Sequence, residues 1–314
     1  MYTNIPQLKQ AAKHSLSQTK TSPGKLILIH SGVIVLLSLL IYALDWLLEH
    51  QISQSGGLGG ISSRSVLSTV QVLLRLAQTV LLPFWQMGYL FVSLKLSREE
   101  PLSPWDLTEG FRRFGPVLRL NLLRSVIFSI LAVASSYAAS TIFLISPLSL
   151  PMMEQLLSNE QILQDPEAMM AVIEQTATPL LLLFAAVYLI VLLPFYYRYR
   201  LDSFLLLDNP EKGALYALRT SRKHMRGYCK FLLRMDLSWW WFYLLDGLTV
   251  VLCYADVILA ILGISLPVSA QLLSFLCLSL SLLSQLGLYY WKRNEVAVSY
   301  AHAYAFITAP EETL

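Results

Sequence analysis

Charge is scarce in this chain. Asp, Glu, Lys and Arg together make up 14% of the residues, against about a quarter in an ordinary soluble domain. So few charges would leave the surface of a soluble domain largely bare. Cysteine is scarcer still. Cys229, Cys253 and Cys277 are the only three, too few and too scattered for a disulfide framework or a zinc site. The five histidines (His14, His30, His50, His224 and His302) are equally dispersed, and no pair has the spacing of a helical metal site. Also missing are a glycine-rich phosphate loop, a nucleophile beside its base, and two acids at a defined separation. The chain therefore reads as a non-enzyme with no cofactor and no metal.

What is abundant is apolar surface. Hydrophobic residues make up 55% of the chain and the mean hydropathy is +0.56, values that belong to a polytopic membrane protein. Windows of about 20 residues predict six spans, at 26–48, 66–96, 117–145, 179–207, 229–254 and 267–291. Each must satisfy its own backbone hydrogen bonds in hydrocarbon, which makes the fold class all-α. Residues 1–25 are a polar, amphipathic segment with no sign of a cleavable signal. Residues 26–293 form one six-helix membrane domain, and residues 294–314 a cytoplasmic tail.

The charges divide between the two sides of these spans. Of the 23 Lys and Arg residues, only Arg64 and Arg75 fall on one side. That side also holds a loop with Gly56, Gly57, Gly59 and Gly60, and the acidic segment from Ser146 to Thr178. Short basic loops resist translocation, so both termini are placed in the cytoplasm. A basic face of this kind attracts anionic lipid headgroups, at about 1 kcal/mol per nearby cation. Lipid, or a protein of a membrane complex, is the expected partner; nucleic acid is not.

Two linkers on the basic side carry helix signals. Residues 6–18 precede them as an interfacial helix, with Leu8, Ala11, Ala12, Ser15 and Leu16 on one face and Lys9 and Lys13 opposite. In the first linker, Ser103-Pro104-Trp105-Asp106 is an N-cap, a first-turn proline and an acidic third position. The helix it starts exposes Arg112 and Arg113 and seats Trp105, Leu107 and Phe111 on the membrane. In the second, Asp208-Asn209-Pro210-Glu211 caps a helix over 210–227 that bears Arg219, Arg222, Lys223 and Arg226. Leu82-Pro83-Phe84-Trp85 and Leu193-Pro194-Phe195-Tyr196 precede the two linkers at an offset of 111 residues. The shared order of elements suggests a parallel hairpin repeat.

The stretch Ala217-Leu218-Arg219-x-Ser221-Arg222-x-x-Met225-x-Gly227-x-x-Lys230-Phe231 resembles the signature of a bacterial membrane family, domain of unknown function 975. Leu8-Lys9-Gln10-Ala11-Ala12-Lys13 is similar to that family's start. Gly88-Tyr89 to Leu96, with Asp106-Leu107 and Gly110 to Phe114, is similar to its first linker. The resemblance covers about residues 5 to 305 and implies a six-span protein of the bacterial cytoplasmic membrane with no assigned reaction. Gly263 to Pro267 and Tyr289-Tyr290-Trp291 match its last part only roughly. A looser similarity links the chain to the membrane portion of some glycerophosphodiester phosphodiesterases, without the acids and histidines of their enzyme domain.

Charges inside spans remain. Arg75, Asp236 and Asp246 are the candidates, because an unpaired charge at the bilayer centre costs about 2.5–3.5 kcal/mol. Counted from Lys230, Asp236 lies about 9 Å and Asp246 about 24 Å into the bilayer. Arg75 is expected to pair with Asp246 or Asp45, Asp236 with Arg234 or Arg200, and Arg198 with Asp202. The reading is a transport-related or membrane-organising protein that contacts lipid or a partner through Arg112, Arg113, Arg219, Arg222, Lys223 and Arg226. The alternative is a small-solute transporter using Arg75, Asp236 and Asp246. More remote is an intramembrane enzyme acting on lipid.

Overall fold

The computed structural model describes residues 4–19, 22–54, 59–151, 153–154, 166–261 and 270–309, and no strand occurs among the described residues. Its helices are α1 (Ile5–Gln18), α2 (Pro23–Gln54), α3 (Gly59–Ser97), α4 (Glu109–Arg112), α5 (Phe114–Ile145), α6 (Pro166–Arg198), α7 (Asp202–Asp208), α8 (Gly213–His224), α9 (Cys229–Ser238), α10 (Trp240–Cys253), α11 (Ala255–Ile261), α12 (Ala270–Leu288) and α13 (Asn294–Thr308). Short 3-10 turns at Pro104–Thr108 and Pro210–Lys212 precede α4 and α8. A π turn, Tyr289–Arg293, joins α12 to α13.

Five stretches of described residues are long and apolar enough to cross a membrane: Pro23–Leu44, Ser68–Ser97, Phe114–Ile145, Thr178–Asp208 and Leu272–Thr308. They pair as neighbours, α2 with α3 and α5 with α6, while α12 packs on α10. Their outer faces are bare hydrocarbon. Leu36, Ile130, Leu181, Ile190 and Leu283 each keep 64–74% of their surface exposed, which lipid tolerates and water penalises.

The expected span 229–254 is not one helix. Helix α9 stops at Ser238 and α10 starts at Trp240, with Trp239 turned out of helical geometry at φ −108°, ψ 18°. Neither proline nor glycine marks the break. A break of this kind leaves carbonyls without amide partners, and α1 supplies one from outside. Lys9 Nζ donates to the Ser238 carbonyl at 2.7 Å and stands 3.9 Å from the centre of the Trp239 ring. Burial lowers the Lys9 pKa below the ordinary lysine value, because loss of water disfavours the ammonium. Helix α10 is the apolar part, and its 14 residues measure about 21 Å, short of the roughly 30 Å of hydrocarbon. The depth counted for Asp246 along a continuous helix does not apply, since the break at Trp239 lies between Lys230 and Asp246.

Residues 294–308, assigned from sequence to a tail, form α13 and carry the last apolar stretch onward. Eleven of its 15 residues are buried. It packs against α1, α2 and α3, and it is apolar or small on every face, as an enclosed helix must be. Leu8, Ala12 and Ser15 form the buried side of α1, on the face anticipated from periodicity. That face is covered by α13 and α3 and not by bilayer. Ser15 Oγ and His302 Nε2 meet there at 3.1 Å.

Candidate functional site

The ends of α3, α6 and α12 converge with α1, α7, α8 and α13, and the basic residues collect at this end. The first linker is clamped onto α3. Ser103 Oγ accepts from the Trp105 amide, and the Asp106 carboxylate takes the Ser103 amide at 2.8 Å and Lys95 at 2.9 Å. The capping box anticipated there is formed. A methyl group on Gly88 would overlap the Leu107 carbonyl, and one on Gly110 would overlap that of Phe84. Only glycine permits the two backbones to touch in this way. Leu107 is fully buried under the protein, while Trp105 is 75% exposed and Phe111 partly so.

This clamp also consumes one of the two linker arginines. Arg113 Nε donates to Glu109 at 2.7 Å, and Arg113 Nη1 donates to the Leu207 carbonyl at the end of α7. Arg112 reaches Glu109 only at 3.5 Å, with 73% of its side chain exposed. Arg113 is thus a tie between linker and core, and Arg112 alone of the pair faces outward.

The second linker is arranged differently. Asn209 makes no side-chain cap and α8 begins only at Gly213, whose φ of +78° suits glycine. Asp208, expected to cap this helix, binds Arg98 through both oxygens at 2.8 and 2.7 Å and accepts the Tyr304 hydroxyl at 2.7 Å. It thereby joins α3, α7 and α13. Helix α8 buries Ala214, Ala217, Leu218 and Ser221. The Ser221 hydroxyl donates to the Arg198 carbonyl at 2.9 Å and accepts from the Leu201 amide at 3.3 Å. It satisfies both sides of the turn between α6 and α7. Arg219, Arg222, Lys223 and Arg226 lie on the opposite, exposed face, with no acidic partner among the described residues. Arg198, Arg222, Met225, Arg226, Gly227 and Cys229 line a cavity of about 230 Å³.

The charges assigned to spans are held mainly by tyrosines. Asp236 accepts the Tyr197 hydroxyl at 2.6 Å and the Tyr243 hydroxyl at 3.1 Å. Its anticipated ion pair with Arg200 or Arg234 is not what is found. Arg200 donates to the Tyr196 hydroxyl and stands over the Tyr196 and Tyr300 rings, at 4.9 and 4.7 Å. Asp202, fully buried, accepts from Ser203 and faces Arg124 at 3.9 Å. It does not pair with Arg198, because the turn at 199–201 destroys helical i,i+4 spacing. Asp246 lies against the Tyr289 hydroxyl, and its Oδ1 is buried with no hydrogen-bond partner. Arg75 occupies an exposed position on α3; the side chain of Asp45, its other expected partner, lies outside the described residues. Sequence reasoning gave Arg98 no role, and took Lys9 only for an interfacial cation and Arg198 only for a partner of Asp202. A lysine on an amphipathic helix and two arginines at span ends resemble ordinary interfacial cations, so no local signal marked them.

A family model described as "Protein of unknown function (DUF975)" matches residues 1–303. The chain belongs to this family. No curated protein and no solved structure matches it. The residues that carried the DUF975 resemblance are largely those that fasten linkers to spans. Gly88 and Gly110 make the backbone crossing, Asp106 closes the capping box, and Ser221 secures the α6–α7 turn. Gly227, at φ +91°, ends the α8 segment in a left-handed conformation. In this DUF975 member the signature therefore describes how the basic end is built. Its free cations lie on the side facing away from those fastenings.

Proposed function

We propose that this DUF975 protein is a non-enzymatic, multi-pass component of the bacterial cytoplasmic membrane. It holds the exposed cations of α8 against anionic headgroups of the inner leaflet and serves a transport-related or membrane-organising role. The observation that carries the proposal is that Arg219, Arg222, Lys223 and Arg226 are exposed and have no acidic partner among the described residues. Elsewhere at this end arginines are paired or stacked, as Arg98, Arg113, Arg124 and Arg200 are. Four cations near an anionic surface contribute about 1 kcal/mol each. In this reading there are six crossings, with α10 and α11 making a shortened fifth, and both termini are cytoplasmic by the distribution of Lys and Arg. Both halves run from a proline-containing apolar helix through a proline-led 3-10 turn and a short helix into the next apolar segment, which favours the parallel repeat.

The test is lipid co-purification. Wild-type protein and a variant with Gln at 219, 222, 223 and 226 are extracted in mild detergent, and their bound lipids and proteins are identified by mass spectrometry. Wild type should carry anionic lipid above the bulk membrane fraction and the variant should not. Equal enrichment in both would sink the proposal. A stoichiometric permease or ATPase lost from the variant would instead make the α8 face a protein-docking surface.

A second reading is a small-solute transporter, favoured by the discontinuous α9–α10 segment and the unpartnered Asp246 Oδ1. Transporters place broken helices and lone polar atoms at their sites. Full solute flux in Arg75→Gln, Asp236→Asn and Asp246→Asn proteins that fold normally would eliminate it.

A further inference from the structure

Three arginines converge on one small space at the end of α6. Arg198 comes from the last turn of α6, and Arg222 and Arg226 come from α8 and the segment after it. All three line the cavity of about 230 Å³, together with Met225, Gly227 and Cys229. The Arg198 guanidinium is steadied over the Phe195 ring at 5.1 Å. Met225 is fully buried beneath the surface and offers a fixed apolar wall. None of the three arginines has an acidic partner among the described residues.

Like charges do not gather around a shared space without a reason, because each raises the cost of the next. Three other arginines at this end are matched by a carboxylate: Arg98 by Asp208, Arg113 by Glu109 and Arg124 by Asp202. At this cavity three arginines line one space, with no carboxylate partner among the described residues. The group that fits is an anion with several oxygens, able to accept paired N–H donors from flat guanidinium forks. A terminal phosphate, with about −1.5 to −2 charges and three non-ester oxygens, suits three arginines better than a phosphodiester, with one charge and two such oxygens. The first turn of α9 opens at Cys229 on the cavity wall, so amides without intrahelical partners add to the positive potential there.

We propose that Arg198, Arg222 and Arg226 form a subsite for a terminal phosphate group, that of a phosphomonoester lipid headgroup or of free phosphate. The inference rests on the reading of the α8 face as a lipid-contacting surface and narrows it from general anionic attraction to one headgroup chemistry. Arg198 lies outside the exposed α8 cluster, and Arg219 and Lys223 lie in that cluster but not on the cavity. The two ideas therefore come apart by mutation.

Full-length protein in mild detergent is titrated by calorimetry with dihexanoyl phosphatidic acid, dihexanoyl phosphatidylglycerol and inorganic phosphate. The same titrations are run on Arg198→Gln, Arg198→Lys and the Arg219→Gln/Lys223→Gln pair, each checked for a monodisperse profile and an unchanged melting temperature. Phosphatidic acid should bind more tightly than phosphatidylglycerol. Arg198→Gln should weaken it roughly tenfold or more, the size of one charge-assisted pair. Arg198→Lys should recover part of that loss, and the double variant should weaken both lipids alike while keeping the preference for phosphatidic acid over phosphatidylglycerol. Competition by inorganic phosphate would assign the site to the phosphate group alone, and its failure to compete would assign it to the lipid. Affinity for phosphatidic acid that is the same in Arg198→Gln as in wild type, or equal for the two lipids, overturns the subsite. If both lipids bind equally but the double variant weakens both, the surface reading stands without the subsite. If neither lipid binds wild type, both fall.

Discussion

The two basic linkers look alike in sequence and behave differently in structure. Each follows an apolar helix with a Pro-Phe-aromatic motif, opens with a proline-led 3-10 turn and carries arginines. The first is pressed so tightly on α3 that backbone touches backbone at Gly88 and Gly110, and it commits Arg113 to Glu109 and Leu207. The second packs through Ala214, Ala217, Leu218 and Ser221, is tied to the α6–α7 turn by one hydroxyl, and leaves four cations with no acidic partner among the described residues. A basic residue near a membrane thus has two fates, internal fastening or external contact. Composition does not tell them apart; the presence of a carbonyl or carboxylate within reach does.

This contrast can be strained at several points. Gly110→Ala should have the largest effect, because its methyl group meets the Phe84 carbonyl and neither backbone can retreat cheaply. A loss of about 3 kcal/mol or more is expected, read as a melting temperature that collapses or protein that aggregates on extraction. Gly115→Ala, where nothing lies within 4 Å of the added carbon, should be neutral, and an equal loss there would remove the crossing as the cause. Arg113→Gln comes next. It strands a partly buried Glu109 and the Leu207 carbonyl, for about 2 kcal/mol. Ser221→Ala removes two hydrogen bonds at one turn, for about 1–2 kcal/mol; guanidine-free thermal melts in detergent should order these three variants as given.

At the small end, Arg112→Gln should change stability by no more than about 0.5 kcal/mol, as exposed pairs do. The four-fold Gln variant of α8 should be neutral or slightly more stable. On α8, Arg219 has like charges three and four residues on, at Arg222 and Lys223, which cost a few tenths of a kcal/mol each. A melting temperature that falls sharply in that variant would show that these cations have structural partners, and the contrast between the linkers would fail.

Much of the architecture could be read in advance. Apolar runs located five helices long enough to span because lipid-facing helices need little beyond length and hydropathy, and the Ser103–Asp106 capping box was legible because its signal is local. The break at Trp239 was not, since Leu237-Ser238-Trp239-Trp240 contains no helix breaker and its stabilising contact comes from Lys9. Asp208 resembled a helix cap and serves as a long-range tie to Arg98 and Tyr304; a carboxylate beside a proline has both uses. Helix α13 gave a fair signal in its run of Val, Ala and Tyr residues on all faces, which implies enclosure, but its position after the last span made it resemble a tail. At the candidate site, the α8 cations were visible from spacing. The cavity they share with Arg198 depends on a turn between α6 and α7 that no local pattern announces.

The bond from Lys9 to the Ser238 carbonyl spans 229 residues, and it sets an order on how the molecule can be made. On a translating ribosome α1 emerges long before α9, α10 or α13, so Leu8, Ala12 and Ser15 lack the larger part of their cover for most of synthesis. An amphipathic helix in that position rests at the lipid interface, which is where its sequence pattern places it. It leaves that station only when the C-terminal helix is in place. Seating of α1 is therefore the closing event of assembly, and a chain cut short before α13 keeps it unseated, a visible mark of an unfinished product.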